Sequence, residues 1–301
     1  MNMHSSRARS VIGFSALAVT WITAAVTVPL IATLKGHFSP EELLFVRSLF
    51  GVAAALILVR GAVWKTDRRM VAAGILVGLS SIAFYRAVQA WGVDPCMVVM
   101  SGLPAINVAF AIWRNRRISG VVVSSLICVT IGIVVALEPW KQPISWPGLW
   151  YMIGCNVVGG LGFELWGQAP ASVSASQKCF WMAVPLLVLC PLSFWATGKH
   201  IDVAGYFDPH QVRVLAFFGF ACGILYIYAT IVPFGKIETQ MVSVLLQGTT
   251  PASIIGAYFL AGESLSAFQW SGVAVALAGT IGLSLWLAAQ TVVCDPDTSP
   301  L

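Results

Sequence analysis

Long apolar runs separated by short polar punctuation set the pattern of this chain. A helix needs about 20 apolar residues to cross about 30 Å of hydrocarbon at about 1.5 Å per residue. Ten runs reach that length: 10–34, 41–60, 70–91, 95–113, 118–137, 146–168, 172–197, 211–233, 238–260 and 267–289. Glycine and proline, which end helices, mark gaps such as "KGHFSP", "EPWKQPISWPG" and "GKHIDVAGYFDPH". No gap is long enough to hold a soluble domain. The pattern predicts an all-α polytopic membrane protein of ten transmembrane helices. The first run is longer than the core of a signal peptide and reads as an uncleaved first span.

The runs repeat. "PAINVAFAIWRNRRIS" begins at Pro104 and "PASIIGAYFLAGESLS" at Pro251, and the shift between them (251 − 104 = 147) also pairs Ser119 with Ser266 and Gly132 with Gly279. A neighbouring shift (228 − 85 = 143) pairs Tyr85 with Tyr228 and Gly92 with Gly235. Apolar helices align easily by chance, but proline and glycine falling in register twice favours a true repeat. The chain then divides into 1–145 and 146–301, five spans each, and an odd number of spans inverts the second unit relative to the first.

Composition and charge agree with a bilayer as solvent. The 301 residues are 58% hydrophobic and 10% charged, with mean hydropathy +0.85, whereas soluble domains carry about 25% charged residues. The net charge of +5 is spread along apolar sequence and implies basic loops rather than nucleic-acid binding. With the N-terminus inside, the cytoplasmic segments carry Arg7, Arg9, Arg60, Lys65, Arg68, Arg69, Arg114, Arg116, Arg117, Lys178 and Lys236. The outer ones carry Lys35, Lys141, Lys199 and Arg213. Basic loops stay inside, so the cluster Arg114, Arg116 and Arg117 marks orientation, and its counterpart around Glu263 belongs outside. The seven cysteines show no C-x-x-C spacing and read as small hydrophobes; no metal and no cofactor are expected.

At this point the chain resembles EamA-type members of the drug/metabolite transporter superfamily. "LLFVRSLFGVAAALIL" resembles their second span with its arginine at Arg47, and "TW" resembles the tryptophan of their first span at Trp21. "PASIIGAYFLAGESLSAFQWSGVAVALAGTIGLSL" resembles the two-helix signature near the end of each half. In the first half Arg116 stands where that signature has glutamate. The resemblance implies an inverted-repeat carrier in the cell (inner) membrane, both termini cytoplasmic, exporting amino acids or other small metabolites. The branch of aromatic and broad-range amino-acid exporters is the nearest. Its Tyr-x-Trp-Pro run is replaced here by Ser101-Gly102-Leu103-Pro104, which favours a wider range of neutral amino acids over strict aromatic selectivity.

Charges inside spans are costly and are functional candidates by default. Arg47 and Arg86 either hold a substrate carboxylate in a water-filled cavity or snorkel and pair with acids such as Asp94 or Glu41. Glu164 either pairs with Lys178 or carries protons. Tyr85, Arg86 and Gln89 recur at helical spacing in span three. Ser101 with Pro104, and Gln247 with Pro251, share faces of spans four and nine, where proline either frees carbonyls that a polar substrate could use or merely kinks packed helices. Tyr85, Tyr226 and Tyr228 add amphipathic walls, while Gly159 and Gly160 permit close approach; Trp21 joins the candidates through the resemblance. The candidate substrate site is therefore Trp21, Arg47, Tyr85, Arg86, Gln89, Ser101, Pro104, Tyr228, Gln247 and Pro251, with Glu164 as a proton or ion-pair site.

Enzymatic readings lack their residues. The histidines (His4, His37, His200, His210) fall outside the spans, the carboxylates of the spans are Glu164 and, at their edges, Glu41, Glu42 and Glu238, and no phosphate-binding G-x-x-x-x-G-K-[ST] run occurs. The expected function is a monomeric carrier whose partners are a small-molecule substrate and the lipid bilayer. Two alternatives stay open: proton-coupled efflux of cationic drugs or metabolites through Glu164, and a non-transporting receptor or assembly factor.

Overall fold

A computed structural model describes residues 3–34, 37–59, 67–114, 118–141, 143–169, 173–197, 207–234, 236–262 and 264–293. Among these the secondary structure is helical: α1 (Met3–Leu34), α2 (Pro40–Val59), α3 (Arg68–Trp91), α4 (Val93–Met100), α5 (Leu103–Trp113), α6 (Gly120–Leu137), α7 (Trp146–Gly167), α8 (Ala175–Thr197), α9 (Pro209–Phe220), α10 (Ile227–Ile231), α11 (Thr239–Leu246), α12 (Thr249–Ala261) and α13 (Ala267–Val293). Six helices are long and apolar enough to cross a membrane: Arg68–Trp91, Val93–Trp113, Gly120–Lys141, Ala175–Ala196, Pro209–Ile231 and Ala267–Ala289. The protein is a helical membrane protein by this measure. The loop tips around Arg116 and Glu263, which carry the orientation argument, lie outside the described residues.

Polarity is arranged inside out. Ile57, Leu58, Phe259 and Leu285 face outward, and Trp113, Trp146, Trp150 and Trp195 project near helix ends, where amphipathic rings suit a membrane–water interface. Asn107, Asn156, Ser243, Gln247 and Thr250 are buried instead. A chain whose outer face is apolar can place its polar side chains only where other helices supply partners.

The helix ends follow local rules. Ser39 and Glu42 form a reciprocal capping box at the start of α2: Ser39 N donates to Glu42 Oε2 (2.7 Å) and Glu42 N to Ser39 Oγ (3.3 Å). Ser174 and Gln177 repeat it at α8 (2.8 and 3.2 Å), and Ser266 with Gln269 at α13 (2.9 and 3.2 Å).

Four pairings organise the bundle: α3 along α7, α6 along α13, α2 along α8, and α1 along α12. Small residues permit the closest of these. A Cβ on Gly132 of α6 would strike Gly272 O and Ala276 N of α13, and one on Gly272 would strike Gly132 O and Ala136 N. Gly279 in turn faces Ser125 and Val129. Helices in lipid lack a solvent-exclusion drive between them, so backbone approach at such positions supplies the packing energy.

Candidate functional site

Two of the predicted spans with internal prolines, those of Pro104 and Pro251, are interrupted, whereas α8 runs unbroken through Pro185 and Pro191. The first breaks between α4 and α5 at Ser101-Gly102, the second between α11 and α12 at Gln247-Gly248. Proline contributes at each break: Pro104 has no N–H to donate to the carbonyl four residues back, that of Met100, and Pro251 likewise frees the carbonyl of Gln247. Other groups take up the slack. Thr250 N donates to Gln247 O (3.1 Å) and Gly102 N to Val99 O (3.0 Å).

Side chains from neighbouring helices complete the repair. The Trp21 indole N–H of α1 donates to Leu245 O beside the second break (2.9 Å). Asn156 Nδ2 of α7 donates to Val99 O beside the first. Gln247 Nε2 reaches across to Met100 O (3.4 Å), and Asn107 Nδ2 bonds Ser243 Oγ, so the two broken helices are tied to each other.

Around this crossing lies a cavity of about 210 Å³. Its wall includes Arg47 from α2, Ser80, Ser81 and Tyr85 from α3, Trp166 from α7, Tyr226 and Thr230 from the α9–α10 rod, and Gln247, Thr249 and Thr250 at the second break. No aspartate or glutamate lies among the described residues that line it. Three of the lining residues each carry a polar atom buried without a hydrogen-bond partner: Arg47 Nε, Trp166 Nε1 and Thr250 Oγ1. Two of these can only donate, and the hydroxyl can donate too.

Arg47 is held by its backbone. Residues Ala221–Tyr226, between α9 and α10, form a π-helical stretch, a local widening often found at functional sites. Gly223 within it meets Arg47 O, where a Cβ would not fit. The guanidinium stands 5.8 Å from the Tyr226 ring centroid, and Tyr85 lines the same wall.

A second cavity of about 330 Å³ lies end to end with the first. Ile31, Phe84, Tyr85, Met97, Thr250 and Ser253 wall both. The second, the mouth, extends to Phe38, Pro40, Asp94, Leu265 and Gln269 at helix ends and turns. The opposite end is filled. Phe163 and Trp166, on the floor of the inner cavity, stack with centroids 5.7 Å apart, and Phe234 packs on both. Arg114 Nη1 pairs with Glu164 Oε1 at 2.7 Å in the turn of α7 between them.

The candidate residues thus sort into three groups. Arg47, Tyr85 and Gln247 wall the inner cavity, while Gln89 lines the mouth with Tyr85. Trp21, Ser101, Pro104 and Pro251 line neither cavity; they shape the breaks, Ser101 Oγ bonding Val98 O (2.6 Å). Arg86, Tyr228 and Glu164 also stand away from the walls. Arg86 turns from its neighbour Tyr85 toward Ser193 Oγ (2.6 Å) and Glu41 (3.5 Å). Tyr228 packs in the apolar cluster around Met70, Trp166 and Ile231. Glu164 is paired with Arg114, and Lys178 instead bonds Phe234 O (3.2 Å).

Sequence reasoning missed Trp166, the hydroxyls of Ser80, Ser81, Thr230, Thr249 and Thr250, and the buried Asn107 and Asn156. Serine and threonine are common in membrane helices as backbone-bonded residues, so they carry little signal. The asparagines could have been found, because an amide inside an apolar run must meet a partner.

No family model matches the chain, and no curated protein matches it. One solved structure, described only as "Crystal structure of protein", superposes with TM-score 0.76 over 94% of this chain and 98% of its own, at 18% identity. The likeness is one of fold alone.

Proposed function

We propose that this chain is a secondary carrier of small carboxylate-bearing metabolites, foremost amino acids with aromatic and other neutral side chains, exported by alternating access. One observation carries the reading: a cavity at the meeting of two broken helices presents one arginine and further unpartnered donors, with no acid among its described lining residues. Such a wall attracts a carboxylate and repels a cation. Glu164, the acid that cation efflux would need, is ion-paired and off the wall, which counts against that alternative.

In this reading the chain is an EamA-type protein of ten spans, two inverted five-helix repeats over 1–145 and 146–301, set in the cell membrane with both termini cytoplasmic. The packing supports the symmetry. The 147-residue shift carries the contacts of Gly132 with Gly272 and Ala276 onto those of Gly279 with Ser125 and Val129. A shift of 135 (174 − 39) carries the capping box of Ser39 and Glu42 onto Ser174 and Gln177. The same shift carries Trp21 onto Asn156, each the donor to a broken helix.

The test is flux of labelled amino acids in proteoliposomes of the purified protein. Leucine should cross, with transport reduced about tenfold or more by Arg47→Ala and less by Gln247→Ala. Folded variants that transport normally would refute the site, and a wild-type protein without flux would refute the function.

A further inference from the structure

Three arginines enter or border the helical interior, and two of them have protein carboxylates: Arg86 with Glu41 at 3.5 Å and Arg114 with Glu164 at 2.7 Å. Arg47 differs. Its side chain meets Tyr85, Tyr226 and Cys222, its Nε is buried without a partner, and no acid joins it on the described cavity wall. While the passage is open, water can solvate that charge. When a carrier closes around its site the water is excluded, and an unpaired guanidinium then resists closure. A substrate carboxylate removes the penalty by forming a charge-assisted, two-pronged bond with the arginine.

Net transport requires the substrate-free carrier to reorient once per cycle, and exchange does not. We propose that the unpaired charge of Arg47 makes this protein an exchanger, which turns over rapidly only when a carboxylate-bearing molecule occupies the site in both directions of the cycle. The inference rests on the transport reading above and adds its coupling rule. It implies that the net direction of movement follows the concentrations of carboxylates on the two sides of the membrane. Without a counter-substrate, the empty carrier stays open to one side and does not reorient.

The experiment compares uptake of labelled leucine into proteoliposomes preloaded with unlabelled leucine, with leucinamide, or with buffer alone. Leucinamide keeps the side chain and ammonium but lacks the carboxylate. Leucine-loaded vesicles should take up label at least about tenfold faster than buffer-loaded ones, as befits the cost of an unpaired arginine within a membrane, and leucinamide-loaded vesicles should behave like buffer. Arg47→Lys, which keeps the charge, should keep the ratio, whereas Arg47→Met should bring it to about one at whatever rate remains. Arg47→Gln replaces Arg47→Met if the latter is not monodisperse on size-exclusion chromatography. Saturable uptake at equal rates into loaded and buffer-filled vesicles would overturn the exchange mechanism and leave the carrier standing. Persistence of the ratio in the uncharged variants would remove Arg47 as its cause and so overturn the proposal. Absence of leucine flux in every arm would overturn the carrier reading and the exchange with it.

Discussion

On the carrier reading proposed above, replacing Arg114 by glutamine should loosen the end of the bundle that Phe163, Trp166 and Phe234 fill. Glu164 is 5% exposed and Arg114 38%. Removing one partner of a fully buried ion pair costs about 3–5 kcal/mol. The exposed share of Arg114 lowers that figure through solvent screening, and Gln168 Nε2 still bonds the Glu164 carboxylate at 3.1 Å. A loss of about 1–2 kcal/mol from the state closed at this end follows, equivalent to a shift of about 5–30-fold in the ratio of closed to open conformers. Spin labels at Trp113 and Lys236, in a background with Cys128 and Cys294 replaced by serine, would report the opening in nanodiscs by double electron–electron resonance. A longer distance component should grow by that factor, and Glu164→Gln should produce the same component without adding to it in the double variant. Labels at His37 and Phe268, at the mouth, should move closer or stay as they were. An unchanged distribution between Trp113 and Lys236 in both single variants would refute the latch. So would widening at both ends, which signals general loosening.

Further outcomes follow from the packing and the breaks. Gly132→Ala should destabilise the protein by about 1–3 kcal/mol, because its Cβ meets backbone of α13. Gly154→Ala, where nothing lies within 4 Å, should stabilise by up to about 1 kcal/mol; thermal unfolding in detergent compares the two. Trp21→Phe keeps the ring but loses the 2.9 Å bond to Leu245 O. It should cost only about 1 kcal/mol, because Gly248 N also donates to that carbonyl (3.1 Å), as measured by reversible unfolding in mixed micelles. Binding of leucine, read by calorimetry, should weaken at least about tenfold in Arg47→Met, while leucinamide binding should change little.

Much of the fold was legible because a bilayer imposes a length on each helix and lets few charges remain inside it. The apolar runs located the helices to within a few residues: 70–91 became Arg68–Trp91 and 146–168 became Trp146–Gly167. Proline chemistry is local as well, but α8 runs unbroken through Pro185 and Pro191, so a proline by itself did not announce which helices would yield. Buried charge did announce itself, since an arginine in an apolar run demands either a partner or a cavity. What no local pattern carried was the choice between those two fates. Arg47 and Arg86 look alike along the chain, yet a protein carboxylate from α2 reaches Arg86, whereas a cavity receives Arg47. The π-helical turn beside Arg47 depends on packing against α2 and leaves no mark in the sequence.

The amino-acid sequence by itself determined that the chain is helical and apolar on its outside, because hydrophobic length and backbone hydrogen bonding are properties of short segments. Only the tertiary structure decided which polar groups close on one another and which are left facing a cavity. That outcome depends on distances between residues far apart in the chain, as with Trp21 and Leu245 or Gln247 and Met100.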